Sequence, residues 1–347
     1  MEILRYPERN EWSCLCKRAI AETAVEVKNI VADIIANIRE RGDEALTEYE
    51  QRFTGAQLSS LSVTQQEIDE AEALVSDDLK KAISLAAQNI STFHAAQTMN
   101  PITIETAPGV KCVQKAVAIS KVGLYIPGGN SPLFSTVLML AIPARIAGCD
   151  EITLCSPAGK DGKINPAILY AAKIAGVHRI YKTGGAQAIA AMAYGTETIS
   201  PVYKIFGPGN RFVMEAKQQV GQTAVAIDMP AGPSEVLVIA DDNARADFVA
   251  ADFLSQAEHG PDSQSILLTT SEALVEKLPQ EIERLLSLLP RREMMEKSLN
   301  HSRIILLNSI DDVMDFSNFY IETKDNTRIL FWGGGVTPEQ INQAKEY

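Results

Sequence analysis

The chain has 347 residues, 46% of them hydrophobic and 22% charged, a length that makes about two domains with substantial cores. Its 21 Gly and 16 Pro are too few for a collagen-like or low-complexity chain. With 32 Lys and Arg against 44 Asp and Glu, the net charge is −12, which argues against duplex nucleic acid as a partner, because phosphate binding needs basic patches.

Residues 1–25 hold no apolar core of about 7–15 residues and no small-residue cleavage pattern, so no signal peptide is expected. No run of about 18 apolar residues occurs, so no membrane-spanning helix is expected. Cys14, Cys16, Cys112, Cys149 and Cys155 are odd in number, sparse and without framework spacing, which reads as reduced thiols in a cytoplasmic protein. Cys14-Leu-Cys16 lacks a second pair or a nearby His and reads as two incidental thiols.

From Glu22 to about Ala96 the pattern is helical. Val27, Ile30, Ile34 and Ile38 recur at three- and four-residue spacing, and Asp77 and Asp78 stand where an N-cap is wanted before the next helix. His94 on that helix has no second ligand one turn away and reads as a packed or edge side chain. From about Val117 the rhythm becomes strand, turn, helix, four times in a row. The strands with their turns are VGLYIPGGN, EITLCSPAG, HRIYKTGG and VYKIFGPGN. Of the helices between and after them, STVLMLAIPARIAG holds Pro143 as a kink or boundary. INPAILYAAKIAG starts on Asn165 as N-cap with Pro166 first, AQAIAAMAYG closes on Gly195, and RFVMEAKQQV completes the set. This alternation predicts βαβ units with right-handed crossovers and a parallel sheet.

Every strand of this block ends in a Gly- or Pro-rich turn. Ligands of open parallel sheets bind beyond the carboxyl ends of the strands, and glycines there let backbone N–H groups approach a phosphate at a helix N-terminus. None of the turns is G-x-G-x-x-G followed by an acidic residue about 20 positions on, so no dinucleotide fingerprint is present. Four such turns on one sheet edge point to a binding cleft all the same.

AVAIDMPAGPSEVLVIAD is then a strand, a Pro/Gly break and a second strand, with Ser234 and Glu235 at the break. NARADFVAADFLSQAEHG is a helix closed by Gly260. SILLTTS and RIILLNS are strands, while EALVEKLPQEIERLLSLL and DDVMDFSNFY are helical. A second α/β unit therefore surrounds the first block on both sides in sequence, with no internal repeat or linker evident. On the helix before Gly260, Asp252, Gln256 and His259 are spaced four and three apart and share one face, opposite Phe248, Ala251, Leu254 and Ala257. Imidazole with carbonyl or carboxylate oxygen suits zinc. Two ligands from one helix are not a site, however, and on spacing alone these residues read as a polar helix face. Glu258 reads as solvated, and His178 and His301 have no obvious partners.

Six longer strings carry a resemblance: GDEAL (42–46), KVGLYIPGGNSPLFSTVLML (121–140), GGAQAIAAMAYGTE (184–197), KIFGPGN (204–210), AIDMPAGPSEV (226–236) and DFVAADFLSQAEHGPDSQ (247–264). From about Ala19 to about Tyr320 the chain resembles the histidinol dehydrogenase family. The resemblance implies oxidation of L-histidinol to L-histidine, the last step of histidine biosynthesis, through a bound aldehyde in two NAD-dependent hydride transfers. It implies NAD and zinc as cofactors and a homodimer, with no membrane partner. It implies an α/β fold of two Rossmann-like parallel-sheet domains facing a cleft, with a helical N-terminal segment. The expected layout is an N-terminal segment 1–21, a discontinuous first domain 22–120 plus 234–330, a second domain 121–233 on the NAD side, and a tail 331–347 of no assigned role. By motif, Tyr125, Gln187 and Asn210 would contact NAD, Ser234 would contact substrate, and Gln256 and His259 would bind both zinc and substrate.

The chain departs from the family in two places. The family's general bases are a Glu-His pair in Tyr-x-Pro-Glu-His-Leu, whereas this chain reads DFSNFYIETKD (315–325). A short deletion after Tyr320 accounts for this better than matching Glu322 to the motif, so no catalytic base is nominated. NTRILFWGGGVTPEQINQAKEY (326–347) matches none of the family's continuation, which carries an Asp and a His completing the zinc shell. Two alternatives stay open on sequence: a dehydrogenase of another small polar alcohol, and a non-catalytic ligand-binding relative.

Overall fold

The structure is a computed structural model that describes residues 1–16, 25–128, 132–229, 235–260, 263–289, 291–322 and, for their backbone path, 327–332. The chain divides into two compact units, Met1–Glu22 with Ala231–Tyr347, and Thr23–Pro230. It opens with β1 (Glu2–Arg5) and a short helix α1 (Trp12–Leu15).

The Thr23–Pro230 unit begins with three helices, α2 (Val25–Thr54), α3 (Gln65–Leu74) and α4 (Asp77–Ala95), and a hairpin of β2 (Ile102–Ala107) and β3 (Val110–Gln114). An alternating set follows: β4 (Lys121–Tyr125), α5 (Phe134–Ala147), β5 (Glu151–Ser156), α6 (Pro166–Ala175), β6 (Arg179–Lys182), α7 (Gly185–Tyr194), β7 (Lys204–Phe206), α8 (Arg211–Thr223) and β8 (Ala226–Ile227). The five later strands form one parallel sheet in the order β6-β5-β4-β7-β8. That order is third, second, first, fourth, fifth along the chain, which is the doubly wound Rossmann arrangement. Strand side chains alternate between faces. Tyr125, Cys155 and Ile205 therefore pack with α2, α7 and α8, while Leu124, Ile126, Leu154 and Ile180 pack with α5 and α6, backed by α3 and α4.

The other unit holds β9 (Glu235–Ala240), α9 (Ala246–Ala257), β10 (Gln264–Thr269), α10 (Glu272–Leu286), α11 (Arg292–Leu299), β11 (Arg303–Leu306), α12 (Ile310–Glu322) and β12 (Thr327–Trp332). Its sheet, β1-β11-β10-β9-β12, is also parallel throughout. Val236, Val238, Leu267 and Ile304 face α9–α11, and Leu237, Ile239, Ile266 and Ile305 face Trp12 and α12. Both parallel sheets expected from the strand–helix alternation are present. The β9-to-β12 order repeats that of β4 to β7, a repeat invisible in the residues themselves.

Several expectations are corrected. Of residues 22–120, expected with 234–330, the stretch 25–120 belongs to the other unit: α2 packs on α7 and α8, α3 on α6, and α4 on α5. The apolar stripes of these helices find their complement on the nearest sheet-covering helices, a choice no local pattern contains. The start of the N-terminal segment is not set apart from the sheets, since β1 adds in parallel to the edge of β11. Residues 327–332, the last two of them inside the unassigned tail, form the opposite edge on β9. The strands on either side of the 229–235 break lie in different sheets. Ser76, not Asp77 or Asp78, caps α4 by accepting from Leu79 N–H, and the two aspartates fill the first turn. Helix α5 continues through Pro143, which removes a single backbone donor. Asn165, Pro166 and Gly195 occupy the expected cap positions.

Gly42 interrupts α2 with φ +51° and ψ −126°, a backbone region open to glycine. The break aims the Asp43 N–H at Glu197 Oε2, 2.8 Å away, and brings Asp43 Oδ2 to the Thr198 hydroxyl. Two of the resembling strings, GDEAL and the end of GGAQAIAAMAYGTE, thus meet in space. A Cβ on Gly42 would lie 2.2 Å from the Glu197 carboxylate. Gly42→Ala is expected to destabilise the protein by roughly 2–4 kcal/mol through backbone strain and overpacking, read as a lowered urea midpoint with unchanged m.

Candidate functional site

The strand order reverses between β4 and β7, and in such sheets the ligand crevice opens at that point. A cavity of about 1100 Å³ opens there, lined by Tyr125 and Gly128 after β4, Pro157 after β5, Gly184 and Gly185 after β6, Gln187 on α7 and Asn210 before α8. Ligand pockets range up to about 1,000 Å³, so a dinucleotide-sized molecule is accommodated. Three of the residues singled out from sequence, Tyr125, Gln187 and Asn210, are brought together on this one cavity, although 85 residues separate the first from the last.

Glycine is required at two of these turns by close approach. A Cβ on Gly207, at φ +133°, would lie 2.2 Å from the Tyr125 carbonyl oxygen, and one on Gly184 would lie 2.6 Å from Pro157. The Gly207 peptide is gripped on both sides. Its N–H donates to Asp228 Oδ2 at 2.8 Å, and its carbonyl accepts from Lys217 Nζ at 2.8 Å. Lys217, 1% exposed, completes the clamp as an ion pair with Asp228. Asn210 follows as the N-cap of α8, with Oδ1 accepting from Phe212 N–H at 3.0 Å and Val213 N–H at 3.1 Å. With Oδ1 so engaged, Nδ2 is the polar atom Asn210 offers to a ligand.

Tyr125 is buried at the end of β4, and its hydroxyl accepts from the Gly185 N–H at 3.1 Å. Burial pushes its pKa up to about 12, the nearby Glu50 carboxylate acting in the same direction. Tyr125 therefore keeps its proton at neutral pH and faces a ligand as a hydroxyl. Burial, and then the same carboxylate, push the neighbouring Cys155 thiol up as well, so it stays an unreactive core thiol.

Glu50 escaped the sequence reading. It comes from the second half of α2 and is fully buried. Its Oε1 accepts from the Thr183 hydroxyl at 3.0 Å, Gly184 N–H at 2.9 Å and Gln187 Nε2 at 3.0 Å. Its Oε2 is buried with no hydrogen-bond partner among the described residues. A signal was available: Glu50 continues the stripe Ala45, Leu46, Tyr49 that faces the core, and a carboxylate on a buried stripe is unusual without a partner.

In the other unit the metal reading meets a different geometry. Gln256 is buried inside α9, with Nε2 unpartnered among the described residues, and His259 is exposed beyond the helix end. The two do not share an exposed polar face with Asp252. The buried face of α9 is Val249, Ala250, Phe253, Leu254, Gln256 and Ala257, while Phe248 and Ala251 point to solvent. The helix stops at Ala257 on Glu258 as C-cap rather than on Gly260. The His259 N–H returns to the Gln256 carbonyl at 3.2 Å, so both side chains leave from one turn. Among the described residues no group of three or more His, Cys, Asp or Glu comes together. These two residues thus supply a pair of donors, not a closed zinc shell. Ser234 lies outside the described residues. The adjacent Glu235 is buried and accepts from the Tyr320 hydroxyl, which ties the end of α12 to the start of β9.

The family model described as histidinol dehydrogenase matches residues 17–323. A histidinol dehydrogenase from Bacteroides fragilis is 56% identical over 331 residues, covering 94% of this chain and 77% of that protein. One from Salmonella typhimurium is 52% identical over 308 residues, covering 88% and 70%. A crystal structure of histidinol dehydrogenase from Elizabethkingia anophelis superposes with a TM-score of 0.90 at 48% identity, covering 96% of this chain and 80% of that one. Among the described residues no helix is long and apolar enough to cross a membrane.

At the Gly207 turn, Lys217→Met would leave Asp228 without its cation. Breaking a fully buried pair costs about 3–5 kcal/mol. Asp228 is 28% exposed, so about 2 kcal/mol is expected in chemical denaturation once solvent screening is allowed for.

Proposed function

The chain belongs to the histidinol dehydrogenase family, and from that footing we propose that it oxidises L-histidinol to L-histidine with NAD and zinc as cofactors, as the last step of histidine biosynthesis. The observation that carries the reading is the convergence of Tyr125, Gln187 and Asn210 on one cavity at the strand reversal, in a chain 56% identical to a histidinol dehydrogenase.

The residues at the cavity fit a dinucleotide. Gly128 and Gly184 line it at turns packed so closely that a Cβ on either would collide with Pro157. Asn210 offers the donor Nδ2, Tyr125 offers a protonated hydroxyl, and Gln187 offers the acceptor Oε1. A pyrophosphate accepts hydrogen bonds only, so Asn210 suits it, whereas Gln187 suits a ribose hydroxyl or the carboxamide N–H of the nicotinamide. Gln256 and His259 fit two positions of a zinc shell. Gln256 would ligate through its amide oxygen and His259 through an imidazole nitrogen. Ser234 is assigned to substrate on its motif alone. When bound, the nicotinamide accepts hydride and the zinc holds the amino and imidazole nitrogens of the alcohol.

Conversion of an alcohol to a carboxylate is a four-electron oxidation. It uses two NAD and one water, and the aldehyde is formed and consumed at the same site. The chain's own task is placement: a hydride moves only when donor and acceptor carbons are held at near contact. The same reading makes the protein a cytoplasmic homodimer.

Purified protein supplied with zinc and NAD is expected to produce two NADH per histidinol, followed at 340 nm. A preference for another small alcohol in a substrate panel, or NAD binding without any turnover, would replace this assignment with one of its two rivals. Gln256→Ala and His259→Ala are each expected to abolish stoichiometric zinc by elemental analysis, and unchanged metal content would remove those residues from the shell.

A further inference from the structure

We propose that Glu50 is the positioning residue of the dinucleotide site, setting the sense of the Gln187 carboxamide and the path of the Thr183–Gly184 turn that the cofactor meets. The proposal rests on the reading that this cavity binds NAD.

The geometry leaves little freedom. Backbone N–H and amide NH₂ groups only donate, and a carboxylate only accepts. The atom of Gln187 facing Glu50 is therefore Nε2, at 3.0 Å. This commits the other end of the amide, Oε1, to the role of acceptor. The same Glu50 oxygen takes the Gly184 N–H at 2.9 Å and the Thr183 hydroxyl at 3.0 Å. One atom thus anchors the last residue before the turn, the turn itself and the ligand-facing side chain. Gly185, at φ +62°, then carries the chain to the Tyr125 hydroxyl, so Tyr125 is held through the same turn. Among the described residues its second oxygen is buried without a hydrogen-bond partner. Burying an acceptor this way is costly, and a core filler of equal volume would serve packing alone at least as well. What an apolar residue could not do is choose between the two orientations of the Gln187 amide.

The test compares NAD affinity by isothermal titration, histidinol turnover, and thermal unfolding across a set of variants. Glu50→Leu keeps the volume and removes the acceptor. It is expected to weaken NAD binding about tenfold or more, the equivalent of one hydrogen bond to a charged group, while KM for histidinol stays within about twofold. Glu50→Gln keeps an acceptor oxygen and is expected to stay within about threefold of wild type. Should Glu50→Leu fail to fold, the reciprocal swap decides. Gln187→Glu alone sets two carboxylates against each other and is expected to lose NAD binding about tenfold. Gln187→Glu with Glu50→Gln restores one donor facing one acceptor and is expected to recover it to within about threefold. Equal NAD affinity in wild type and Glu50→Leu, a parallel loss for NAD and histidinol, or no recovery in the swap each overturns the proposal while leaving the NAD reading intact. Wild-type protein that takes up no NAD overturns the functional reading and this proposal with it.

Discussion

The cavity depends on one close approach, that of the Gly207 backbone to the Tyr125 carbonyl. Reversal of strand order between β4 and β7 sends the following helices to opposite faces of the sheet, and the space between them opens only if the two strand ends can lie side by side. A side chain at 207 would force them apart. The Lys217–Asp228 pair then holds both polar groups of that peptide, and Asn210 begins α8 three residues later. The glycine, the ion pair and the cap together decide where Asn210 stands relative to Tyr125.

Behind this first layer stands a second. Helix α2 does not touch the strand ends through a loop of its own. It lies across α7 and α8 and reaches the β6–α7 turn with a single carboxylate. Its bend at Gly42 is held by Glu197 and Thr198 in the loop after α7, so α2 and α7 are tied at one end through that loop and at the other through Glu50. Positioning from a second layer is a common way to keep ligand-facing side chains within a fraction of an ångström of their required place. Here it also explains why residues far apart in sequence share the resembling strings.

Part of the cavity lining is legible residue by residue. The Gly- and Pro-rich turns announced the carboxyl-end crevice, and the motifs named Tyr125, Gln187 and Asn210. Asn165, Pro166 and Gly195 were readable because caps are local chemistry. The failures fall where the deciding partner is distant. The inward face of α9 is ambiguous in sequence because Phe248 and Ala251 make an apolar stripe as good as the real one. The strands beneath chose Val249, Ala250 and Phe253 instead, carrying Gln256 inward with them. The role of Glu50 is not legible locally, because its partners stand more than 130 positions away. The edge strands β1 and β12 are short segments whose pairing depends on a neighbour that the local pattern does not reveal.

By itself the sequence determined the class of the protein. Alternating strand and helix periods demand parallel βαβ units, the acidic balance disfavours nucleic acid, and long matching strings identify the family. Tertiary structure decided which helices cover which sheet, and so moved residues 25–120 to the unit that holds the cavity. It also decided that a carboxylate on α2 accepts a hydrogen bond from an amide on α7, and that Gln256 is buried while His259 is exposed. Local periodicity reports which side of an element avoids water, but not which neighbour removes it. Hydrogen-bond direction at a buried site is set by the donors that the rest of the chain delivers there.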